Sequence, residues 1–214
     1  EVFTKLLSIK PDFAEIHYNL GVVINELGEP DKAIASFNKA ISIKPDYTEA
    51  YNNMGNALRE LGRAEEAIDA FEKVLLINPN YVDAYINKGN VLKDQNKLEK
   101  ALEAYAEAIA TQPNSWISFY NIGVACTQLG KLDKAIEAYT SAISLKSDFA
   151  SAHINLGYVL DMQGKFEDAI EVYKKLLVIN PDSAEAYNNI GLSLKNKGNL
   201  NQAIKAFTKA ISIK

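Results

Sequence analysis

The sequence predicts an all-α solenoid of antiparallel helix pairs, and three observations predict it. Residue types recur with a period of 34 along the chain, each period holds two stretches of helical amphipathic spacing, and small residues recur where the two helices would meet. A helix of about 14 residues is marginal in water, so such a pair cannot stand alone. Stacked neighbouring pairs supply the missing core, which makes the array quasi-linear.

Four residue types hold this period over the whole chain. Glycine recurs at Gly21, Gly55, Gly89, Gly123, Gly157 and Gly191. Alanine recurs at Ala33, Ala67, Ala101, Ala135, Ala169 and Ala203. An aromatic residue recurs at Phe37, Phe71, Tyr105, Tyr139, Tyr173 and Phe207, and proline at Pro11, Pro45, Pro79, Pro113 and Pro181, with Ser147 in the remaining slot. The chain is therefore predicted to be a single domain, 1–214, with residues 1–13 as the tail of a preceding repeat and repeats at 14–47, 48–81, 82–115, 116–149, 150–183 and 184–214.

The second repeat and its flanks show why each element is expected. Asp46 followed by Glu49 has the spacing of a capping box at a helix start, and Gly62 suits the left-handed residue just past a helix end. Pro79 ends the second helix, because the residue before a proline resists helical geometry. Apolar stripes at helical spacing run through Tyr51, Met54, Gly55 and Leu58, and through Ala67, Ile68, Phe71, Val74 and Leu75. Gly55 and Ala67 lack bulk where the two helices must approach.

Composition excludes several classes of protein. Lys plus Arg is 23 and Asp plus Glu is 27, giving a net charge of −4, so there is no broad electrostatic case for nucleic-acid binding. No apolar run reaches the roughly 18–20 residues that span a bilayer, and no signal peptide opens the chain. The single cysteine excludes an intrachain disulfide, which favours a reducing, cytoplasmic setting. The chain opens on Glu1 rather than methionine, so a segment of a longer protein is expected.

No catalytic or metal constellation stands apart from the repeat pattern. His17 and His153 both occupy repeat position 4, counted from Ala14, where other repeats carry Tyr or Phe, and they are 136 residues apart. Both are therefore expected in the core rather than at a shared metal site. Cys126 occupies position 11, another core position, with no catalytic partner in its pattern. The sequence predicts a non-enzyme without cofactor or metal.

An asparagine recurs at position 6 in all six repeats. These residues, called the ladder, are Asn19, Asn53, Asn87, Asn121, Asn155 and Asn189. They face away from the apolar stripe of the first helix, so they are expected to point into the concave groove, although Asn costs about 0.6 kcal/mol relative to Ala in a helix. An amide offers one acceptor and two donor hydrogens, so a spaced row can hold an extended peptide by its backbone. The alternative is that repeat duplication copied a solvated Asn. The neighbouring groove positions 5 and 9 have drifted freely, however, which favours the functional interpretation.

Other groove positions add candidate contacts. The first half of the groove is more polar, with Tyr18, Asn52, Asn56, Asn90, Arg59 and Lys93. Further candidate peptide-binding residues are Asn56, Asn90, Tyr120 and Tyr158. An apolar set in repeats three to five is expected either to form a pocket for ligand side chains or to contact the next repeat: Ile86, Ile117, Tyr120, Ile154, Tyr158 and Met162. Acids at position 2 are read mainly as helix caps, with attraction of a basic ligand as the alternative: Glu15, Glu49, Asp83 and Glu185.

The pattern of small, alanine, aromatic and proline residues at positions 8, 20, 24 and 32 resembles the tetratricopeptide repeat family over the whole chain. The resemblance implies a right-handed superhelix whose first helices line the concave face. Three departures are notable: Lys88 stands at an apolar position, Asn96 replaces a glycine and Ser147 replaces a proline. Repeat three is therefore expected to pack less tightly, and the junction of repeats four and five to be less rigid.

The ladder itself resembles the repeat arm of O-linked N-acetylglucosamine transferases, where such asparagines hold substrate peptide backbones. Two functions follow from the resemblance. The chain is expected to be a non-catalytic scaffold that binds an extended peptide, or the substrate arm of a glycosyltransferase whose catalytic domain lies outside it. Apolar faces at both ends of the array also suggest end-to-end self-association.

Overall fold

The computed structural model describes residues 13–213, and its regular structure there is entirely α-helical, without a strand. The helices are α1 (Ala14–Glu26), α2 (Pro30–Ile43), α3 (Thr48–Glu60), α4 (Ala64–Ile77), α5 (Val82–Asp94), α6 (Leu98–Thr111), α7 (Trp116–Gln128), α8 (Leu132–Leu145), α9 (Ala150–Met162), α10 (Phe166–Ile179), α11 (Ala184–Asn196) and α12 (Leu200–Ile213). The predicted all-α fold of consecutive helix pairs is confirmed, and each pair begins at the first residue of a predicted repeat. The predicted tail of an earlier repeat lies outside the described residues, apart from Phe13.

The helices form two compact units, one ending at Gln112 and the other beginning at Pro113. In each unit the two helices of a pair contact each other, and the second helix contacts the first helix of the next pair. Within a unit, the first helix of each pair also contacts the first helix of the next pair, whereas second helices of the same unit do not touch one another. First helices therefore line the inner side of each unit, and second helices lie outside. We call them inner and outer helices.

Each inner helix packs a glycine against the aromatic ring of its outer helix. A Cβ on Gly55 would lie 2.7 Å from the Phe71 ring, and a Cβ on Gly157 would lie 2.4 Å from the Tyr173 ring. Both rings are almost fully buried, as is Ala67, so the rings have little room to retreat. The prediction that position 8 must lack bulk is confirmed, and the atom that excludes a side chain belongs to the position-24 ring.

The helix starts differ from the capping-box prediction, which is wrong for α3. This helix begins at Thr48 with Tyr47 as its N-cap residue, and no side chain caps it. Glu49 lies in the first turn, where its charge is favoured by the helix dipole without a capping hydrogen bond. In α11, by contrast, the Ser183 hydroxyl accepts a hydrogen bond from the Ala186 N–H at 3.2 Å.

The end of each inner helix follows the predicted left-handed motif. Gly62 has φ 72°, its N–H donates to the Arg59 carbonyl, and the Arg63 N–H donates to the Leu58 carbonyl. These two bonds form a Schellman motif that satisfies the last carbonyls of α3. Asn96 adopts the same conformation after α5, with φ 58°. It retains the turn without glycine's freedom at positive φ.

Replacing Asn96 with glycine is therefore expected to stabilise the first unit by about 0.5 kcal/mol, because a left-handed asparagine is less favourable than glycine. Urea unfolding monitored by circular dichroism measures the change. Gly62→Asn makes the reciprocal substitution in the equivalent turn and is expected to lose a similar amount. An increase in the free energy of unfolding in both variants, or in neither, would contradict this explanation.

Two departures from the repeat pattern have local explanations. Lys88, at an otherwise apolar position, is half-buried and places its Nζ 2.6 Å from Glu72 Oε1 on the preceding outer helix. At the junction that lacks proline, the Ser147 carbonyl accepts a hydrogen bond from His153 Nε2 at 2.9 Å. His17 and His153 are both buried, as predicted. Cys126 is also buried, and burial raises the pKa of its thiol, which confirms it as a core residue.

Candidate functional site

The six ladder asparagines all lie on inner helices, but they are not equally accessible. Asn19 is exposed, four members are half-buried, and Asn121 is buried at 8% exposure. Three of them belong to each unit, one per repeat. A ligand on either inner face would therefore reach only part of most amides.

Three ladder asparagines donate hydrogen bonds to the residue at position 5 of the preceding repeat. In the first unit, Asn53 Nδ2 donates to the Tyr18 hydroxyl at 3.0 Å. One repeat later, Asn87 Nδ2 donates to Asn52 Oδ1 at 3.2 Å. In the second unit, Asn155 Nδ2 donates to the Tyr120 hydroxyl at 3.3 Å. Each bond links adjacent inner helices, so these amides help to hold neighbouring repeats together.

Position 5 is therefore not a freely drifting groove position, and that part of the sequence argument is wrong. Where it is apolar, the link is lost. Ile154 precedes Asn189 by one repeat and offers no polar atom; instead, Asn189 Oδ1 accepts a long, 3.4 Å hydrogen bond from the neighbouring Asn188. The ladder thus contains both amides fixed by a neighbour and an amide without such a link.

The link leaves hydrogen-bonding capacity on the amide. Asn53 and Asn87 each use one Nδ2 hydrogen, and their Oδ1 atoms accept no hydrogen bond from another described residue. Each can therefore accept one N–H from a ligand through Oδ1 and donate its second Nδ2 hydrogen. Asn155 also interacts with the Tyr139 hydroxyl, so its amide is more fully used.

In the first unit, Asn56 lies beside the ladder in a depression of the inner face. Asn53 lines the same depression, as do these residues of the first two repeats: Val22, Asn25, Glu26, Phe37, Arg59 and Glu60. Asn90 is half-buried, and its Oδ1 accepts a hydrogen bond from the Tyr105 hydroxyl at 2.9 Å. Of the two asparagines predicted as contacts at position 9, Asn56 faces an open depression and Asn90 is tied to its own outer helix.

In the first unit, Asp94 at position 13 is paired with two cations at position 12, Arg59 and Lys93. Asp94 Oδ2 accepts hydrogen bonds from the Arg59 guanidinium at 2.8 Å, and its Oδ1 accepts one from Lys93 at 3.0 Å. Partial burial raises the pKa of this carboxyl, but the two cations outweigh burial, so the pKa of Asp94 lies below its ordinary value. This acid already has its counterions.

In the second unit, Tyr120 and Tyr158 have different surroundings. The Tyr120 ring is half-buried and packs edge-on against Phe149 at 4.8 Å and tilted against Tyr139 at 5.9 Å between ring centroids. Its hydroxyl holds Asn155, so Tyr120 positions a ladder amide. The Tyr158 side chain is 54% exposed on the inner helix α9. Only Tyr158 of this pair offers a large open surface to a ligand.

The members of the predicted apolar set differ in exposure. Ile86 is buried, which fits the expected alternative of contact with a neighbouring repeat, whereas Ile117 and Ile154 are half-buried. Tyr158 and Met162 are exposed one helical turn apart. Leu192, at position 9 of the sixth repeat, is also exposed and was missed. The sequence feature that indicates it is a leucine at repeat position 9, the position that holds Asn56 and Asn90 in earlier repeats.

Several predictions concern other functions. Within residues 13–213 no group of His, Cys, Asp and Glu side chains is arranged to hold a metal ion. None of the helices described here has the length and apolar character needed to cross a membrane. At the far face of the second unit, α12 exposes Leu200, Ile204 and Ile211. Self-association through such a face stays a prediction.

Comparison with family models identifies the repeats. A model described as "TPR repeat" matches residues 23–59, 125–164 and 162–198, and one described as "Tetratricopeptide repeat" matches residues 48–81, 82–115 and 184–214. The chain belongs to the tetratricopeptide repeat family. Proteins of this family are typically non-catalytic scaffolds. The comparison with curated proteins gives no significant match.

Solved tetratricopeptide repeat structures share the fold. A crystal structure of MamA is 32% identical, with 78% of this chain and 91% of that chain covered and a TM-score of 0.71. YrrB, described as a TPR protein with an unusual peptide-binding site, is 25% identical over 87% of this chain and 96% of that chain, with a TM-score of 0.66. PilF of Pseudomonas aeruginosa is 18% identical over 90% of this chain and 88% of that chain, with a TM-score of 0.76, which shows the fold alone.

These relatives support a protein-interaction scaffold. They give no support to the glycosyltransferase interpretation, which stays a prediction that the full reading frame would decide. The ladder's role in binding is likewise a prediction, because the likeness concerns the repeat fold and not these asparagines. What sequence analysis missed in this tetratricopeptide repeat chain is the polar partner at position 5, which is Tyr or Asn in four of the six repeats.

Proposed function

We propose that the inner faces of this tetratricopeptide repeat chain bind an extended peptide segment through its backbone. One observation carries the proposal: Asn53 and Asn87 are held by the preceding repeat through Nδ2, while their Oδ1 atoms accept no hydrogen bond from the described residues. The second unit adds Asn155, which Tyr120 holds in the same way. Asn56 and the exposed Tyr158 are further contacts.

The links to the preceding repeat make these amides effective hydrogen-bonding groups for a peptide ligand. An amide already fixed by Tyr18 or Asn52 loses little side-chain entropy when a peptide binds. A peptide backbone presents an N–H and a C=O in every non-proline residue, so a row of such amides recognises it without reading its side chains. Each hydrogen bond contributes about 0.5–1.5 kcal/mol, and binding requires several of them.

Two comparisons support this proposal. The family consists mainly of protein-interaction scaffolds, and YrrB, which shares the fold at 25% identity, is described as having a peptide-binding site. Inter-repeat hydrogen bonding alone would also explain an asparagine at position 6. The test must therefore separate binding from repeat stability.

The test measures binding of fluorescein-labelled peptides of unrelated sequence by fluorescence polarisation. Asn53→Ala/Asn87→Ala removes two amides from the first unit, and Asn155→Ala/Asn189→Ala removes two from the second. Loss of two hydrogen bonds is expected to weaken binding to the affected unit at least about tenfold for every peptide that binds it. Methylation of alternate peptide nitrogens is expected to weaken binding similarly, because it removes N–H donors.

Asn38→Ala/Asn201→Ala is the matched control, because both residues are exposed on outer helices. It is expected to bind as the wild type does. Circular dichroism and urea unfolding show whether each variant remains folded at the assay temperature. If ladder variants lose stability but bind every peptide unchanged, the amides serve only to join repeats and the proposal is wrong.

A further inference from the structure

The depression on the inner face of the first unit carries two carboxylates without a counterion. It has a volume of about 340 Å³, it lies between the inner helices α1 and α3, and Glu26 and Glu60 both line it. Both glutamates are exposed, and neither forms an ion pair with another residue of the described range 13–213. We call this feature the α1–α3 depression. The oxygens of both carboxylates are therefore available to a ligand.

The arginine that also lines the depression already has its own counterion. The Nε and Nη2 atoms of Arg59 both lie 2.8 Å from Asp94 Oδ2 on the next inner helix. This pair carries no net charge, so the two glutamates leave the depression with an uncompensated negative charge. A concave surface of one charge sign attracts ligands of the opposite sign.

The next repeat shows what a carboxylate at position 13 binds. Asp94 occupies that position, and Arg59 reaches it from position 12 of the preceding repeat. Glu60 occupies position 13 as well, but position 12 of the repeat before it holds the neutral Asn25. Asn25 and Glu60 line the α1–α3 depression together. A guanidinium from a ligand can therefore approach Glu60 as Arg59 approaches Asp94.

Amide and apolar groups of the same depression suit an arginine side chain. Asn53 Oδ1 is not enclosed and accepts no hydrogen bond from a described residue, and the same holds for the Asn56 amide oxygen. Val22 and Phe37 supply apolar surface. A guanidinium has five N–H donors and no acceptor, and it stands on an apolar stem. The depression thus offers acceptors to the guanidinium and apolar contact to the stem.

We propose that the α1–α3 depression binds an arginine side chain of the peptide, with the guanidinium against Glu26 and Glu60 and the stem against Val22. The proposal rests on the peptide-binding function proposed above and adds side-chain selectivity to it. The ladder residue Asn53 lines the same depression, so backbone and side chain would be recognised at one site. The planar guanidinium donates paired hydrogen bonds to a carboxylate, which favours arginine over lysine.

The second unit has no acid at the corresponding positions. Position 13 holds Gln128, Met162 and Asn196 in its three repeats. Selectivity for arginine is therefore expected of the first unit alone. Asn155→Ala/Asn189→Ala, which removes two ladder amides from the second unit, is expected to retain the preference for arginine.

The test compares two peptides of one extended, otherwise uncharged sequence that carry the same label. One has a central arginine and the other has citrulline, which has a similar shape but no charge. Wild-type protein is expected to bind the arginine peptide about fivefold more tightly, a modest ratio because both carboxylates are exposed to water. The ratio is expected to fall to about one in Glu26→Gln/Glu60→Gln, and to fall in the wild type as the salt concentration rises.

Glu103→Gln/Glu107→Gln is the matched control, because it removes the same charge from exposed positions of the outer helix α6 in the same unit. It is expected to retain the preference for arginine. An equal loss of preference in this control would mean that overall charge attracts the peptide, which overturns recognition in the depression. Circular dichroism shows whether both double variants are folded at the assay temperature.

Failure of this proposal and failure of the proposed function give different results. Equal affinity of the wild type for both peptides, together with weaker binding of both by Asn53→Ala/Asn87→Ala, overturns arginine recognition and leaves the backbone function standing. A preference for arginine that persists in Glu26→Gln/Glu60→Gln also overturns it. If neither peptide binds the wild type at concentrations up to about 1 mM, both proposals are wrong.

Discussion

Gly55→Ala is expected to destabilise the first unit by about 1–3 kcal/mol, although alanine is the better helix former by about 1 kcal/mol. The added Cβ would lie 2.7 Å from the Phe71 ring, a distance that buried carbons do not adopt. Because this ring is fully buried, it cannot swing into solvent and must displace its neighbours. Urea unfolding followed by circular dichroism measures the loss.

The double variant Gly55→Ala/Phe71→Leu tests the cause. Leucine is smaller than phenylalanine, so the penalty of the alanine should shrink when the ring is gone, giving a coupling energy of at least about 0.5 kcal/mol. Additive effects of the two substitutions would mean that the clash with Phe71 is not the source of the loss.

His153→Leu is expected to destabilise the second unit by about 1–3 kcal/mol, because it removes the donor from the Ser147 carbonyl at 2.9 Å while keeping a side chain of similar size. His153→Gln retains an N–H donor at a similar distance along the side chain and is expected to lose less. Thermal and urea unfolding compare the two variants.

Both variants change the same position, so they share the same surroundings. The comparison of Leu with Gln at one position is the sharper test. Equal losses in the two variants would show that packing, and not the bond to Ser147, explains the burial of His153.

Much of the fold could be predicted from the sequence because the period fixes the register. Six repeat starts placed by glycine, alanine, aromatic and proline spacing coincide with the first residues of inner helices. Gly62 adopts the expected left-handed conformation, and Gly55 faces the aromatic residue that recurs with it. These features depend on residues at fixed separations along one repeat, which a single sequence displays directly.

The capping-box prediction for α3 fails because of tertiary packing around Tyr47. Asp46 and Glu49 have capping-box spacing, but Tyr47 stands between Asp46 and the helix and is buried against Ala14, Ala40 and Ala50. Its ring also lies 5.0 Å from the Tyr18 ring. Packing of this ring places Tyr47, rather than Asp46, at the N-cap position, which local spacing does not reveal.

The site was less predictable, because periodicity aligns equivalent positions but does not show which different positions touch. Tyr18 and Asn53 are 35 residues apart and occupy unlike columns of the repeat, so their hydrogen bond has no signature in either column. Asn25 and Glu60 likewise line one depression, although they belong to two further columns. The packing of adjacent helices was needed to find both arrangements.

The pairing of position 5 with position 6 has a consequence for engineering arrays from interchangeable modules. A repeat with Tyr or Asn at position 5 provides a hydrogen-bond acceptor for the repeat after it. Its own Asn at position 6 donates a hydrogen bond to the repeat before it. Two such repeats can therefore be joined in either order and still form the bond at their seam. The module with Ile154 is an exception. Its Asn155 donates to the preceding module, but Ile154 offers no acceptor to the module that follows. Changing that one isoleucine to tyrosine would supply Asn189 with an acceptor and make the module compatible on both sides.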